Sequence, residues 1–145
     1  MIPSPVTLWT KSGNPVGRVT ISGLTATDVY RAAFSAESWG DAPITNVTLR
    51  NVQVEFAGGG KAWPTNQTVK GPGVDARPLP AWGLYARNVQ TLTLEDVRFS
   101  VASDDLRPVL QTERVHHLNL DAFKYTQVPG GNEPLRTNNF RSAAP

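Results

Sequence analysis

Apolar and polar residues alternate along most of this chain, in short runs that stop and restart. Four segments share one pattern: Arg18–Ala26 (RVTISGLTA), Asn46–Val54 (NVTLRNVQV), Thr91–Phe99 (TLTLEDVRF) and His117–Tyr125 (HLNLDAFKY). In each, alternation is interrupted by one small or polar residue and then resumes. Alternation places Val47 and Leu49 on one face of a strand, and Val52 and Val54 on one face after the break. An unbroken strand would swap faces between 49 and 52, so the pattern predicts a sharp bend followed by a second strand. Gly23, Asn51 and Asp96 occupy the break, and these types tolerate the left-handed backbone of a tight corner. Ala122 stands at the equivalent place and predicts a looser or differently built last corner.

The spacing makes the pattern a repeat. Val19 to Val47 is 28 residues, Val47 to Leu92 is 45, and Leu92 to Leu118 is 26. The long interval contains Ala57–Pro80, rich in Gly, Pro and polar residues, which reads as a loop insertion. A further short strand precedes each segment: Val6–Trp9, Ala32–Ser35, Gly83–Ala86 and Pro108–Gln111. Three short strands and three corners in about 26–28 residues suit one coil of a parallel β-helix, each strand pairing with its equivalent one turn away. A β-sandwich is the alternative, but it leaves the matching registers and the consistent corner residue as accidents. The expectation is therefore an all-β chain, a single domain over 1–145. It has about four coils near 6–27, 31–56, 83–101 and 108–126, an insertion at 57–80 and a polar tail at 127–145. The one helical candidate is Thr27–Ser38, where Ala is frequent and Asp28 is placed to cap.

Composition narrows the function classes. There is no Cys, which excludes disulfides, thiolate metal sites and a cysteine nucleophile. Residues 1–74 carry six basic and four acidic side chains and residues 75–145 carry eight of each, with no clustered basic run. No nucleic-acid partner is expected, because phosphate neutralisation needs such clustering. No apolar stretch approaches ~18 residues, so no membrane span is expected. Met1–Pro5 has no basic stretch leading into an apolar one, so no signal peptide is expected.

The stretches Ala42–Gly60 (APITNVTLRNVQVEFAGGG), Leu79–Ser100 (LPAWGLYARNVQTLTLEDVRFS) and Asp105–Phe123 (DLRPVLQTERVHHLNLDAF) resemble the C-terminal part of glycoside hydrolase family 28. These are the polygalacturonase-like enzymes, pectin-lyase-like right-handed parallel β-helices. The likeness spans roughly residues 16–128. It implies a single-stranded right-handed solenoid, a pectic or uronate-containing polysaccharide as partner, and an extracellular or periplasmic family setting. The family hydrolyses its substrate with inversion, using Asp carboxylates spaced so that a water fits between them. Its Asn-Thr-Asp, Asp-Asp, Gly-His-Gly and Arg-Ile-Lys motifs lie on upstream coils and do not occur here as a set. The resemblance thus implies a portion of such an enzyme with no catalytic residue of its own, inactive alone, and no cofactor.

Ser103-Asp104-Asp105 is a decoy for the Asp-Asp motif. Its flanks match the family's loop between late coils, and the expected state is a solvated turn bonded to Arg107. His116-His117 is expected at an exposed corner, without the further ligands a metal site needs. Asn46-Val47-Thr48 and Asn66-Gln67-Thr68 are glycosylation sequons, of meaning only after eukaryotic secretion. Carbohydrate contact is expected from Trp63, Trp82 and Tyr85 with Lys61, Lys70, Arg77 and Arg87, since aromatic faces stack on sugar rings and cations pair with uronates. The competing reading of Trp82 and Tyr85 is that they pack the insertion against the scaffold. Only Met1–Pro5 precedes the first strand, so the first coil looks cut and uncapped, as in the last coils of a longer protein. Such an end predicts a homo-oligomer joined through exposed coil ends, the alternative function being a self-assembling structural or sugar-binding module.

Overall fold

The structure, a computed structural model, describes residues 5–10, 16–30, 33–63, 69, 78–130 and 133–138. Its elements are β1 (Thr7–Thr10), β2 (Arg18–Val29), β3 (Phe34–Ser38), β4 (Ile44–Gly58), β5 (Leu84–Ser103), β6 (Leu110–Tyr125) and β7 (Leu135–Asn138). All seven join one sheet, and every pairing is parallel.

Each strand pairs with its counterpart one repeat away. Arg18 lies opposite Asn46, Asn46 opposite Thr91, and Thr91 opposite His117. In a second column, Thr7 lies opposite Ser35, Phe34 opposite Leu84, and Leu84 opposite Leu110. The repeat predicted from alternation is thus the register of the ladder.

The long strands are bent. Gly23, Asn51, Asp96 and Ala122 have φ of 70°, 54°, 54° and 59°, and none of them has a ladder partner. Ala122 therefore turns like its neighbours, and the looser last corner expected there does not form. An earlier corner uses Asn88 and Arg114, with φ of 53° and 59°. These corners curl the sheet. Phe34 is in register with Leu84, yet its ring stacks on Phe99, at the far end of the same strand, at 5.6 Å. β5 must fold back on itself for both contacts to exist.

The inward positions fill the curl. Val47, Leu49, Val52 and Val54 stack on Leu92, Leu94, Val97 and Phe99, all buried. Phe56 meets Trp82 and Phe99 edge-on at 5.7 and 5.4 Å, and Phe123 meets Phe99 at 5.6 Å. Burial fades at the last rung: Leu94 is 0% exposed, while its counterpart Leu120 is 40% exposed.

The helical candidate needs correction. There is no helix among the described residues, and Thr27–Ser38 instead contains the end of β2 and all of β3. Ser35–Glu37 gain ladder partners on both sides, in β1 and β5, which outweighs the helical preference of alanine. Asp28 has φ 56° and turns the chain where an N-cap was expected. Within the tail, Leu135–Asn138 pairs with Leu110–Glu113 as β7.

A left-handed backbone costs a non-glycine residue about 1–2 kcal/mol, and glycine's extra unfolded-state freedom offsets about half of that. Ala122→Gly is therefore expected to stabilise the protein by about 0.5–1 kcal/mol. Ala86→Gly, inside a buried strand, should destabilise it by about 1 kcal/mol or more. Urea midpoints of the two variants should move in opposite directions.

Candidate functional site

The outer face of β3, β5 and β6 carries the most unusual chemistry of the molecule. Phe34, Ala36, Leu84, Ala86 and Leu110 point inward, so Ser35, Glu37, Tyr85, Arg87, Gln111 and Glu113 point outward. Outward residues of a half-solvated sheet are normally wet. Here Ser35, Glu37, Tyr85 and Gln111 are buried, Glu37 and Tyr85 completely. Ala33, Leu79 and Tyr85 form a small apolar cluster with Val69 against it, so Val69 and Leu79 of the insertion lie over this wall.

Register sets the electrostatics. Trp9, Glu37, Arg87 and Glu113 are successive partners across four strands, spaced about 4.8 Å apart in such a ladder. The Tyr85 hydroxyl donates to Glu113 Oε2 at 2.5 Å, and Arg87 Nη1 donates to the same oxygen at 2.9 Å. The Arg87 guanidinium lies 4.0 Å over the Trp39 ring, whose Nε1–H donates to Glu37 Oε1 at 3.0 Å. Burial pushes the Tyr85 phenol well above its ordinary value, with the Glu113 carboxylate adding to the rise. Tyr85 is therefore a neutral donor at any physiological pH. Ser35 Oγ, Arg87 Nε and Gln111 Oε1 are buried on this same face without a hydrogen-bond partner.

A second construction closes the base of the insertion. Asp105 is 0% exposed and accepts from Arg107 Nε at 2.9 Å, Arg107 Nη2 at 2.7 Å, and the Arg107 and Gly60 amides at 3.1 and 2.9 Å. The Arg107 Nη1–H donates to the Leu79 carbonyl at 3.0 Å, and the Leu106 amide to the Gly60 carbonyl at 2.9 Å. One ion pair thus holds Gly60, where the insertion leaves the sheet, and Leu79, where it returns. A Cβ on residue 60 would lie 2.6–2.7 Å from Arg107 Nε and Nη2 and Asp105 Oδ1, so any side chain there would have to push this ion pair aside.

The predicted residues divide accordingly. Tyr85 and Arg87 meet through Glu113, whereas Trp82 lies in the core against Phe56. Trp63 is half-buried and Lys61 exposed. Arg77, Lys70 and Asn66 lie outside the described residues. Asp104 is exposed, but Asp105 is buried, so the solvated turn expected for the pair is corrected for its second member. His117 pairs with Thr91 inside the ladder, and both histidines are exposed on a strand where a corner was expected. No group of three or more His, Asp or Glu suited to a metal occurs among the described residues. Glu37, Trp39 and Glu113 were missed. Their signal is legible only when the repeats are aligned, as an acid–base–acid column at 37, 87 and 113.

Burial raises the Asp105 carboxyl pKa, but Arg107, through hydrogen bonds and charge, and the Gly60 amide outweigh it, leaving it below the ordinary 3.8. A depressed carboxyl contributes stability above its unfolded value and loses it as pH falls through the folded one. The pair's contribution should thus be intact above about pH 4 and disappear below it. Asp105→Asn is expected to cost about 1–3 kcal/mol at pH 7, because it removes the buried carboxylate on which the Arg107 and Gly60 donors converge. Its stability deficit relative to the parent should shrink below pH 4 in urea melts. No protein-family model, curated protein or solved structure matches the chain.

Proposed function

We propose that this chain is a right-handed parallel β-helix of the polygalacturonase-like kind, serving as the scaffold portion of a pectic glycoside hydrolase and not as its hydrolytic centre. The observation that supports this most directly is the ladder, in which every described strand is parallel and stacked on its equivalent one repeat away. A solenoid is the simplest path that returns the chain to the same column at 25–28-residue steps, with the insertion looped out. The family reading adds the stretches Ala42–Gly60, Leu79–Ser100 and Asp105–Phe123. Two of the described carboxylates also have other work: Asp105 anchors Arg107, and Glu113 is held by Arg87 and Tyr85.

A second reading, self-assembly, is favoured by one feature. β7 covers Leu110–Glu113 of β6 only, and Leu120 beyond it is exposed. The β2 edge presents Val19, Ile21, Leu24 and Ala26 in the same columns as Leu118, Leu120, Phe123 and Tyr125. A second copy laid head to tail continues each apolar column.

The purified chain is expected to release no reducing ends from polygalacturonate. Turnover that disappears in an Asp104→Asn/Asp105→Asn variant would overturn the scaffold reading. For self-assembly, light scattering should give a mass above that of one chain, reduced toward the monomer by Leu120→Lys. A monomeric, fully folded parent sinks that second reading.

A further inference from the structure

Between the β5–β6 connection and the approach to β7 lies a cleft of about 270 Å³, separate from the outer wall. Its lining includes Trp82, Arg107, Tyr125, Thr126, Gln127 and Glu133. The volume falls just below the ~300–1,000 Å³ of drug-sized ligand sites, and suits one ring better than a chain of several.

Its donors are already oriented. A guanidinium has five N–H groups. Asp105 takes those on Nε and Nη2, and Leu79 takes one on Nη1. Two N–H groups of Arg107 remain, one on Nη1 and one on Nη2, in a plane fixed by a buried carboxylate. Donors on these two nitrogens can serve two oxygens of one ligand, either of a carboxylate or of neighbouring hydroxyls. Thr126 Oγ accepts from the Val101 amide at 3.3 Å, which leaves its own hydroxyl hydrogen to donate. Gln127 brings both a donor and an acceptor, and the Glu133 carboxylate brings acceptors. Tyr125 and the edge of Trp82 supply apolar ring surface for C–H groups.

The charge decides between the two ligand classes. Asp105 neutralises Arg107, and Glu133 then leaves the lining with a net negative charge. A carboxylate entering this cleft meets repulsion that a hydroxyl does not. We propose that the cleft is a binding site for a single neutral pyranose, with the free N–H pair of Arg107 on adjacent hydroxyls and Gln127 and Glu133 on the opposite edge. This does not rest on the scaffold reading above, and the site carries no reaction.

Saturation-transfer NMR on the full chain with galactose, glucose, mannose and galacturonate, each at millimolar concentration, tests it. At least one neutral hexose should bind, with amide shifts centred on Tyr125–Gln127, and galacturonate at least fivefold more weakly. Gln127→Ala should weaken that hexose about fivefold without moving the thermal midpoint. Glu133→Gln should strengthen galacturonate severalfold relative to the hexose, a change that a structural role for Glu133 does not produce. Arg50→Gln, in the exposed pair with Glu95 away from the cleft, should leave all of these values unchanged. Failure of every neutral hexose to bind, galacturonate binding as tightly as the best hexose, or indifference to Gln127→Ala would each overturn the proposal.

Discussion

A residue in a parallel ladder must turn where its neighbour turns. If Asp96 bends the chain at φ 54° and Ala122 does not, the two strands part within a residue and every inward side chain beyond the corner loses its stacking partner. The corner is therefore a property of the column, enforced by the pairs on either side of it. That is why an exposed alanine accepts a conformation costing about 1–2 kcal/mol, while Gly23, Asn51 and Asp96 adopt it with less strain. The same constraint aligns Leu49 with Leu94 and Val54 with Phe99, so the core follows from the corners.

Within such a ladder, an insertion is tolerated only where its two ends are held at the separation the ladder demands. The Asp105–Arg107 pair does this from the next repeat. Asp105 and Leu106 hold Gly60, and Arg107 holds the carbonyl of Leu79. An apolar pair of similar volume would avoid the desolvation penalty of buried charge, but it could not bond three backbone groups at once. The pair thus fixes where the loop begins and ends, which a hydrophobic contact cannot specify. Trp82 and Gly83 follow directly and lead β5 into register with β3 and β6.

What could be read from the chain alone follows from this division. Strands at Arg18–Ala26, Asn46–Val54 and Thr91–Phe99 were legible because alternation and a turn-tolerant residue agree at each. The corner at Ala122 was not, since alanine carries no turn signal and its conformation is imposed by Asp96 alongside. Leu135–Asn138 was missed because four residues after a proline offer no period to recognise, and their strand exists only by pairing with β6. The stretch before Ser38 admitted two readings, a strand at Ala32–Ser35 and a helix over Thr27–Ser38, because the ladder partners that decide for β3 are 28 residues before and 50 after. At the candidate site, Tyr85 and Arg87 were legible as residue types, but their partner Glu113 is 28 and 26 residues away. Which of Asp104 and Asp105 is buried depends on Gly60, a contact 45 residues distant.

The placement of cations bears on what this surface recognises. Uronate binding requires positive groups that are not already matched, because a neutralised guanidinium offers hydrogen bonds without net attraction. Arg87 is matched by Glu113 in a column that also contains Glu37, and Arg107 is matched by Asp105. Arg50 and Glu95 pair in the open, where such a bridge contributes only about 0–1 kcal/mol. Guanidinium groups held in this way remain planar, oriented donors. They are suited to hydroxyl pairs, whose recognition depends on direction, and poorly suited to carboxylates, whose recognition depends on charge. On physical grounds, then, Arg87 and Arg107 present oriented donors without net positive charge, an arrangement that suits neutral hydroxyls better than carboxylates.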